Sequence, residues 1–172
     1  MKRNICLLFI STFLFVGSGF AQTQKWAVGL EILEPNAISL RKYGDKNALD
    51  VSLGTYTGLF KKRKVYRNGE YASIGMMFNA TYLWYVPMLN DRMTAYAGVG
   101  AQLNSRKYYP DPNTKRVSEK TISTGPSGTI GLEFFFDAKP TSFFIEGGGY
   151  AELLPKLLYF NPNLSMGLRH NF

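Results

Sequence analysis

The chain holds one histidine, His170, and one cysteine, Cys6. A Ser–His hydrolase needs an imidazole beside its nucleophile to take the proton. His170 is the third residue from the end, in an alternating segment, where an interface position suits it better than a catalytic one. Paired carboxylates offer a second chemistry. Glu133 and Glu146 fall on adjoining segments and would do acid–base work only if their environments split their pKa values. Arg41 and Arg169 are positioned in the same pattern to neutralise them, so ion pairing is the simpler expectation. Cys6 lies near the N-terminus, which leaves the rest of the chain without a disulfide or a thiolate metal site. No glycine-rich stretch opens a helix to cradle phosphate. The sequence calls for no catalytic residue, cofactor or metal.

Whatever positions those charges has a period of two. Trp26, Val28, Leu30 and Ile32 alternate with Ala27, Gly29 and Glu31, and Leu49, Val51 and Leu53 with Asp50, Ser52 and Gly54. The same alternation marks 38–41, 78–85, 93–103, 129–136, 143–152 and 164–172, although Leu83 and Tyr85 blur the fourth segment. Eight strands are expected, an even number. Turn signals separate them: EPN at 34–36, GDKN at 44–47, PMLND at 87–91, DAKP at 137–140 and a Pro/Asn stretch near 155–163. Two connections, 57–75 and 105–124, are long and fall on one side of a meander, with tight turns on the other. That asymmetry is typical of outer-membrane barrels.

Alternation alone does not say which face is inside. A soluble lipocalin-like barrel has an apolar interior, and a membrane barrel an apolar exterior. Aromatic residues at the strand ends favour a bilayer. Trp26, Tyr43, Trp84, Tyr85, Phe136, Phe143 and Phe172 are expected on the short-turn rim, and Tyr56, Tyr71, Tyr150, Tyr159 and Phe160 on the long-loop rim. The polar face is rich in Gly, Ser and Thr with a few charges of both signs. Such a face suits a crowded lumen, in which Glu31, Arg41, Glu133, Glu146 and Arg169 form ion pairs. Strands of about ten residues, rising ~3.3 Å each at a tilt of ~40°, span the lipid-facing band of ~25 Å.

At the N-terminus, MKRNICLLFISTFLFVGSGFA has a short basic region, an apolar core and a small-residue exit. This is the layout of a secretory signal peptide, residues 1–21. Its removal leaves residues 22–172 as one domain and lowers the formal net charge from +8 to +6. No later segment reaches 18 uninterrupted apolar residues, so a helical span is not expected. At the other end the chain stops on Phe172. A final strand running to an aromatic residue must pair with the first strand and leave no open edge.

The terminal SMGLRHNF, with Gly167, Leu168, His170 and Phe172, resembles the C-terminal assembly signal of bacterial outer-membrane proteins. The resemblance implies delivery by periplasmic chaperones and recognition by the barrel-assembly machinery. Position 170 is histidine where an aromatic is more frequent. More broadly, LEILEPNAISLRKYGDKNALDVSLGTY, NATYLWYV, AYAGVGAQL, PSGTIGLEFFF and FFIEGGGYAELLP resemble, in order, a family of small outer-membrane proteins. Those proteins are similar to OmpA/OmpX-type eight-stranded barrels and mostly lack an assigned activity.

The expected fold is therefore all-β, an eight-stranded antiparallel up-and-down transmembrane β-barrel in the bacterial outer membrane, monomeric and without nucleic acid. Its expected role is structural or in surface interaction. A lipid-modifying enzyme and a soluble lipocalin-like binder are the alternatives. The basic stretch Lys61, Lys62, Arg63, Lys64 and Arg67, and five further basic residues within 105–124, suit lipopolysaccharide phosphate or another surface polyanion.

Overall fold

The computed structural model describes residues 25–58, 65–66, 69–89, 92–111, 117–136 and 139–172. The signal peptide expected at 1–21 and the basic residues Lys61, Lys62, Arg63, Lys64 and Arg67 lie outside them. Among the described residues nine strands follow one another: β1 Trp26–Glu34, β2 Asn36–Tyr43, β3 Asn47–Thr55, β4 Val65–Tyr66, β5 Gly69–Met88, β6 Met93–Tyr109, β7 Glu119–Phe135, β8 Thr141–Glu152 and β9 Tyr159–Asn171. Eight of them close into an antiparallel ring. β1 pairs with β9, and β3 with β5, while the two-residue β4 merely folds back on the start of β5.

Closure runs to the end of the chain. Trp26 N donates to Phe172 O at 3.2 Å, and Phe172 N donates to Trp26 O at 2.8 Å. The final aromatic is thus part of a ladder, and no barrel edge is left open along this seam. Gly167 lets the seam close. A Cβ on it would sit 1.9 Å from Leu30 O and 2.7 Å from the Phe144 ring, so any side chain would push the two strands apart.

The burial pattern is that of a soluble protein turned inside out. Leu30, Ile32, Leu40, Leu53, Val99, Ile130 and Leu168 are exposed, while Arg41, Arg106, Glu133, Glu152 and Arg169 are fully buried. The apolar face therefore points outward, which is the reverse of the lipocalin-like alternative. A monomeric soluble surface does not carry an apolar band of this extent.

On one rim successive strands lie close in sequence, β2 ending at Tyr43 and β3 starting at Asn47, β5 ending at Met88 and β6 starting at Met93, β7 ending at Phe135 and β8 starting at Thr141, and both described chain ends lie there. The opposite rim differs from expectation. β5 starts at Gly69, β6 runs on to Tyr109 and β7 starts at Glu119, so sheet occupies much of the stretches expected as long loops. In these extensions polar residues appear on both faces, which erases the alternation that betrays a strand in sequence. The rim is uneven as a result: β5–β7 rise high, whereas β1 and β2 are separated only by Pro35.

Several aromatic residues expected in the outer belts point inward. Tyr43, Tyr56, Tyr150 and Tyr159 lie inside, and Tyr56, Tyr150 and Tyr159 are at most 9 % exposed. Tyrosine has an apolar body and a polar tip, so either face can accept it. Leu83, the residue that blurs its segment, packs inward on Ala48 and Tyr96, with Tyr43 and Tyr85 beside it. Trp26, Trp84, Phe136, Phe160 and Phe172 are exposed on the outside.

Candidate functional site: the charged lumen

An eight-stranded barrel leaves just enough room inside for its own side chains, and here they are arranged in layers. Near the short-turn rim, β2 supplies Arg41, β3 Asp50, β7 Glu133, β8 Glu146 and β9 Arg169. Arg41 Nε donates to Asp50 Oδ2 at 2.6 Å, Nη1 to Glu133 Oε2 at 3.2 Å and Nη2 to Glu146 Oε1 at 3.0 Å. Arg169 Nη2 donates to Glu146 Oε1 at 2.5 Å, and its Nη1 lies 3.4 Å from Glu133 Oε2. Both expected carboxylates therefore contact both guanidinium groups. Tyr96 and Tyr43 add hydroxyl donors, to Glu146 at 2.6 Å and to Glu133 at 3.1 Å. Ser142 also donates to Glu133.

Rings and small residues hold the two arginines flat. The Arg169 guanidinium stacks 3.5 Å from the Phe144 ring centroid, and that of Arg41 lies 4.7 Å from the Tyr96 ring. Gly29 makes room: a Cβ there would meet Ser39 Oγ at 2.5 Å and Arg169 Cγ at 3.0 Å. Gly131 does the same for the Tyr96 ring, at 2.5 Å. The small residues of the polar face are thus spaces cut for large neighbours. Glu31 is 7 % exposed and borders the same chamber, facing a polar cavity of about 40 Å³ with Ser52, Asn79 and Ser165 on its walls. That is room for a few water molecules.

Above this cavity lies a neutral layer. Gln102 Nε2 donates to Tyr56 Oη at 2.8 Å, and Tyr56 donates to Asn163 Oδ1 at 2.8 Å. Ser127 donates to Asn79 Oδ1 at 2.7 Å. Higher still is a second ionic plug that sequence reasoning did not find. Arg106 Nη2 lies 2.7 Å from Glu152 Oε2, with both side chains fully buried. Tyr66 donates to Glu152 Oε1 at 2.5 Å, and its ring packs edge-on against Tyr108 and Tyr159. The Arg106 guanidinium stands 4.8 Å from each of the Tyr66 and Tyr159 rings. Arg106 therefore belongs to the lumen and not to the basic surface expected over 105–124. The signal was in the period: Gln102, Asn104, Arg106 and Tyr108 keep one phase, as do Glu146, Gly148, Tyr150 and Glu152.

On the short-turn side the lumen opens as a cavity of about 740 Å³ with Arg41 and Glu133 among its lining residues and Tyr43, Tyr85 and Tyr96 on its walls. The assembly-signal residues occupy β9 and the chain end. Gly167 sits in the closing seam, Leu168 and Phe172 point outward, and His170 is half-buried on the same outward register. The buried serines of this region, Ser142 and Ser165, are on the inward face. Among the described residues, these buried serines and His170 lie on opposite faces of the wall.

This architecture, a closed eight-stranded ring with a filled polar interior and an apolar exterior, is the fold of the small outer-membrane barrels. No protein-family model and no curated protein sequence matches the chain. Solved structures do. The N-terminal β-barrel domain of OprF from Pseudomonas aeruginosa superposes with a TM-score of 0.58 at 11% identity, covering 86% of this chain and 93% of that one. Neisserial surface protein A gives 0.52 at 12% identity with the same coverage. Ail, the attachment invasion locus protein of Yersinia pestis, gives 0.49 at 13% identity, again over 86% and 93%.

Proposed function

We propose that the chain is an integral outer-membrane barrel with a side-chain-filled lumen, and that its role is structural or in surface interaction. The observation that carries this reading is the inverted polarity. Rows of Leu, Ile, Val and aromatic residues cover the outside, and Arg–carboxylate networks fill the inside. A closed ring satisfies its backbone groups without water, which hydrocarbon demands. The basic leader at 1–21 and the assembly signal at Gly167, Leu168, His170 and Phe172 fit export, chaperone delivery and insertion by the barrel-assembly machinery. The buried network supports a structural role for Glu133 and Glu146, because each contacts two guanidinium groups instead of standing free as an acid or base.

In this reading the surface-interaction role falls to the basic stretch Lys61, Lys62, Arg63, Lys64 and Arg67, whose partner is a phosphate-bearing polyanion such as lipopolysaccharide. Within the stretch, Val65 and Tyr66 pair with the start of β5. The test is fractionation. The protein should sediment with the outer membrane, resist extraction at alkaline pH, and run faster on SDS gels before boiling than after. Recovery in the soluble periplasmic fraction would contradict the reading.

A further inference from the structure

The β8–β9 connection is a surface anomaly. Leu153, Leu154, Leu157 and Leu158 are exposed by 45, 63, 69 and 73 %, and Phe160 at the start of β9 by 54 %. Leucine turns of this kind are not left in water without a reason.

The turn is fixed in place. Leu158 N donates to Glu152 O at 2.8 Å, and Lys156 N to Glu152 Oε1 at 3.1 Å. Leu153 N and Leu154 N both donate to Thr124 O, at 2.9 and 3.2 Å, and Thr124 N returns a bond to Leu154 O at 3.0 Å. Leu158 has φ of 58°, a left-handed conformation that a bulky residue seldom adopts. Lys156 is the one charged residue between Leu153 and Phe160. Its ammonium lies over the Tyr159 ring at 5.3 Å and the Tyr66 ring at 5.9 Å, turned toward the lumen plug. The leucines are thus exposed, while the turn's one charge is drawn toward the lumen plug.

That surface continues the apolar wall. On β9 the outward row runs Phe172, Leu168, Leu164 and Phe160, and on β8 Ile145 leads upward to Leu153. From Phe172 to Phe160 is twelve residues, or about 30 Å along the barrel axis at ~3.3 Å per residue and a tilt of ~40°. Phe172 at one interface places the leucine turn at the other. The neighbouring tops of β6 and β7 mix charge with apolar side chains, Lys107, Glu119 and Lys120 standing beside the exposed Val117 and Ile122.

We propose that the 153–158 turn is an anchor embedded among the acyl chains and headgroups of the outer leaflet, so that the membrane reaches higher on the β8–β9 side than the barrel's other walls require. This rests on the reading of the chain as a membrane barrel. Continuity with the apolar belt is what assigns lipid, and not a protein, as the occupant.

Nitroxide accessibility tests it. In a Cys6→Ser background, single cysteines replace Leu157, Leu158, Leu164 on the belt, and Ser118 just before the neighbouring strand β7. The membrane-extracted protein is labelled and reconstituted in phosphatidylcholine vesicles, and its heat-modifiable migration is checked for each variant. Labels at 157 and 158 should collide several-fold more with oxygen, which partitions into lipid, than with an aqueous nickel complex, as the label at 164 does. The label at 118 should show the opposite. If 157 and 158 behave like 118 while 164 behaves as a lipid site, the anchor is wrong and the membrane reading stands. If 164 also favours nickel, both fail. Dipolar broadening between labels at 157 would put a second copy there and overturn lipid as the occupant.

Discussion

Arg169 and Glu146 meet at 2.5 Å inside the barrel, across the β8–β9 pair, and the same Glu146 oxygen also receives Arg41 at 3.0 Å. One carboxylate between two guanidiniums, with Glu133 bridging the same pair, makes a unit whose parts depend on one another. Arg169→Met should therefore lower the unfolding free energy by about 3–5 kcal/mol, because it leaves carboxylates buried with less compensation. Urea titration of vesicle-folded protein measures it. The double variant Arg169→Met/Glu146→Gln should cost clearly less than the two single losses added together. Additive losses would mean that the two residues act separately.

The closing seam gives a second expectation. Gly167→Val places atoms where Leu30 O and the Phe144 ring already sit. The variant should be secreted yet give several-fold less heat-modifiable barrel. Deleting Phe172, which bonds Trp26 in both directions, should act the same way. Undiminished folded barrel in either variant would show that the seam tolerates what its geometry does not.

What was legible in the sequence followed from the bilayer-height part of each strand. There, one face meets apolar surroundings and the other a crowded lumen, so Leu30, Glu31 and Ile32 sort themselves by period. Above that height both faces are polar, and the starts of β5 and β7 and the end of β6 carry no such contrast. Arg106 read as surface for that reason, although its phase with Gln102 and Asn104 points inside. Tyrosine was the other blind spot. Tyr43, Tyr56 and Tyr159 fit a belt by composition, but their hydroxyls or rings serve Glu133, Asn163 and Arg106 in the interior. The Phe144 ring under Arg169 had no signal beyond its phase with Glu146.

The lumen layers also predict electrical silence. With ionic plugs at Arg41/Arg169 and at Arg106/Glu152, the purified protein in planar bilayers should form no stable large-conductance channel. Replacing Arg106 with alanine should not create one, since the lower network still fills the bore. Persistent openings in the unmodified protein would contradict a filled lumen.

The basic segment can be separated from the barrel. Retention on immobilised lipopolysaccharide or heparin should fall steeply with salt, as the Debye length shrinks from ~10 Å at 0.1 M to ~3 Å at 1 M. Changing Lys61, Lys62, Arg63 and Lys64 to alanine should reduce retention while leaving heat modifiability intact. Equal retention of the quadruple variant would remove the surface-interaction role and leave the structural one.

The most direct test of the central claim needs no mutation. The sequence has two tryptophans, Trp26 and Trp84, and both rings are exposed on the outer wall, by 39 and 53 %. In vesicles whose acyl chains carry bromine, their fluorescence should be strongly quenched relative to unbrominated vesicles, while aqueous iodide should have little effect. Emission untouched by brominated lipid and readily quenched by iodide would mean that the apolar wall faces water, and the chain would not be a membrane barrel.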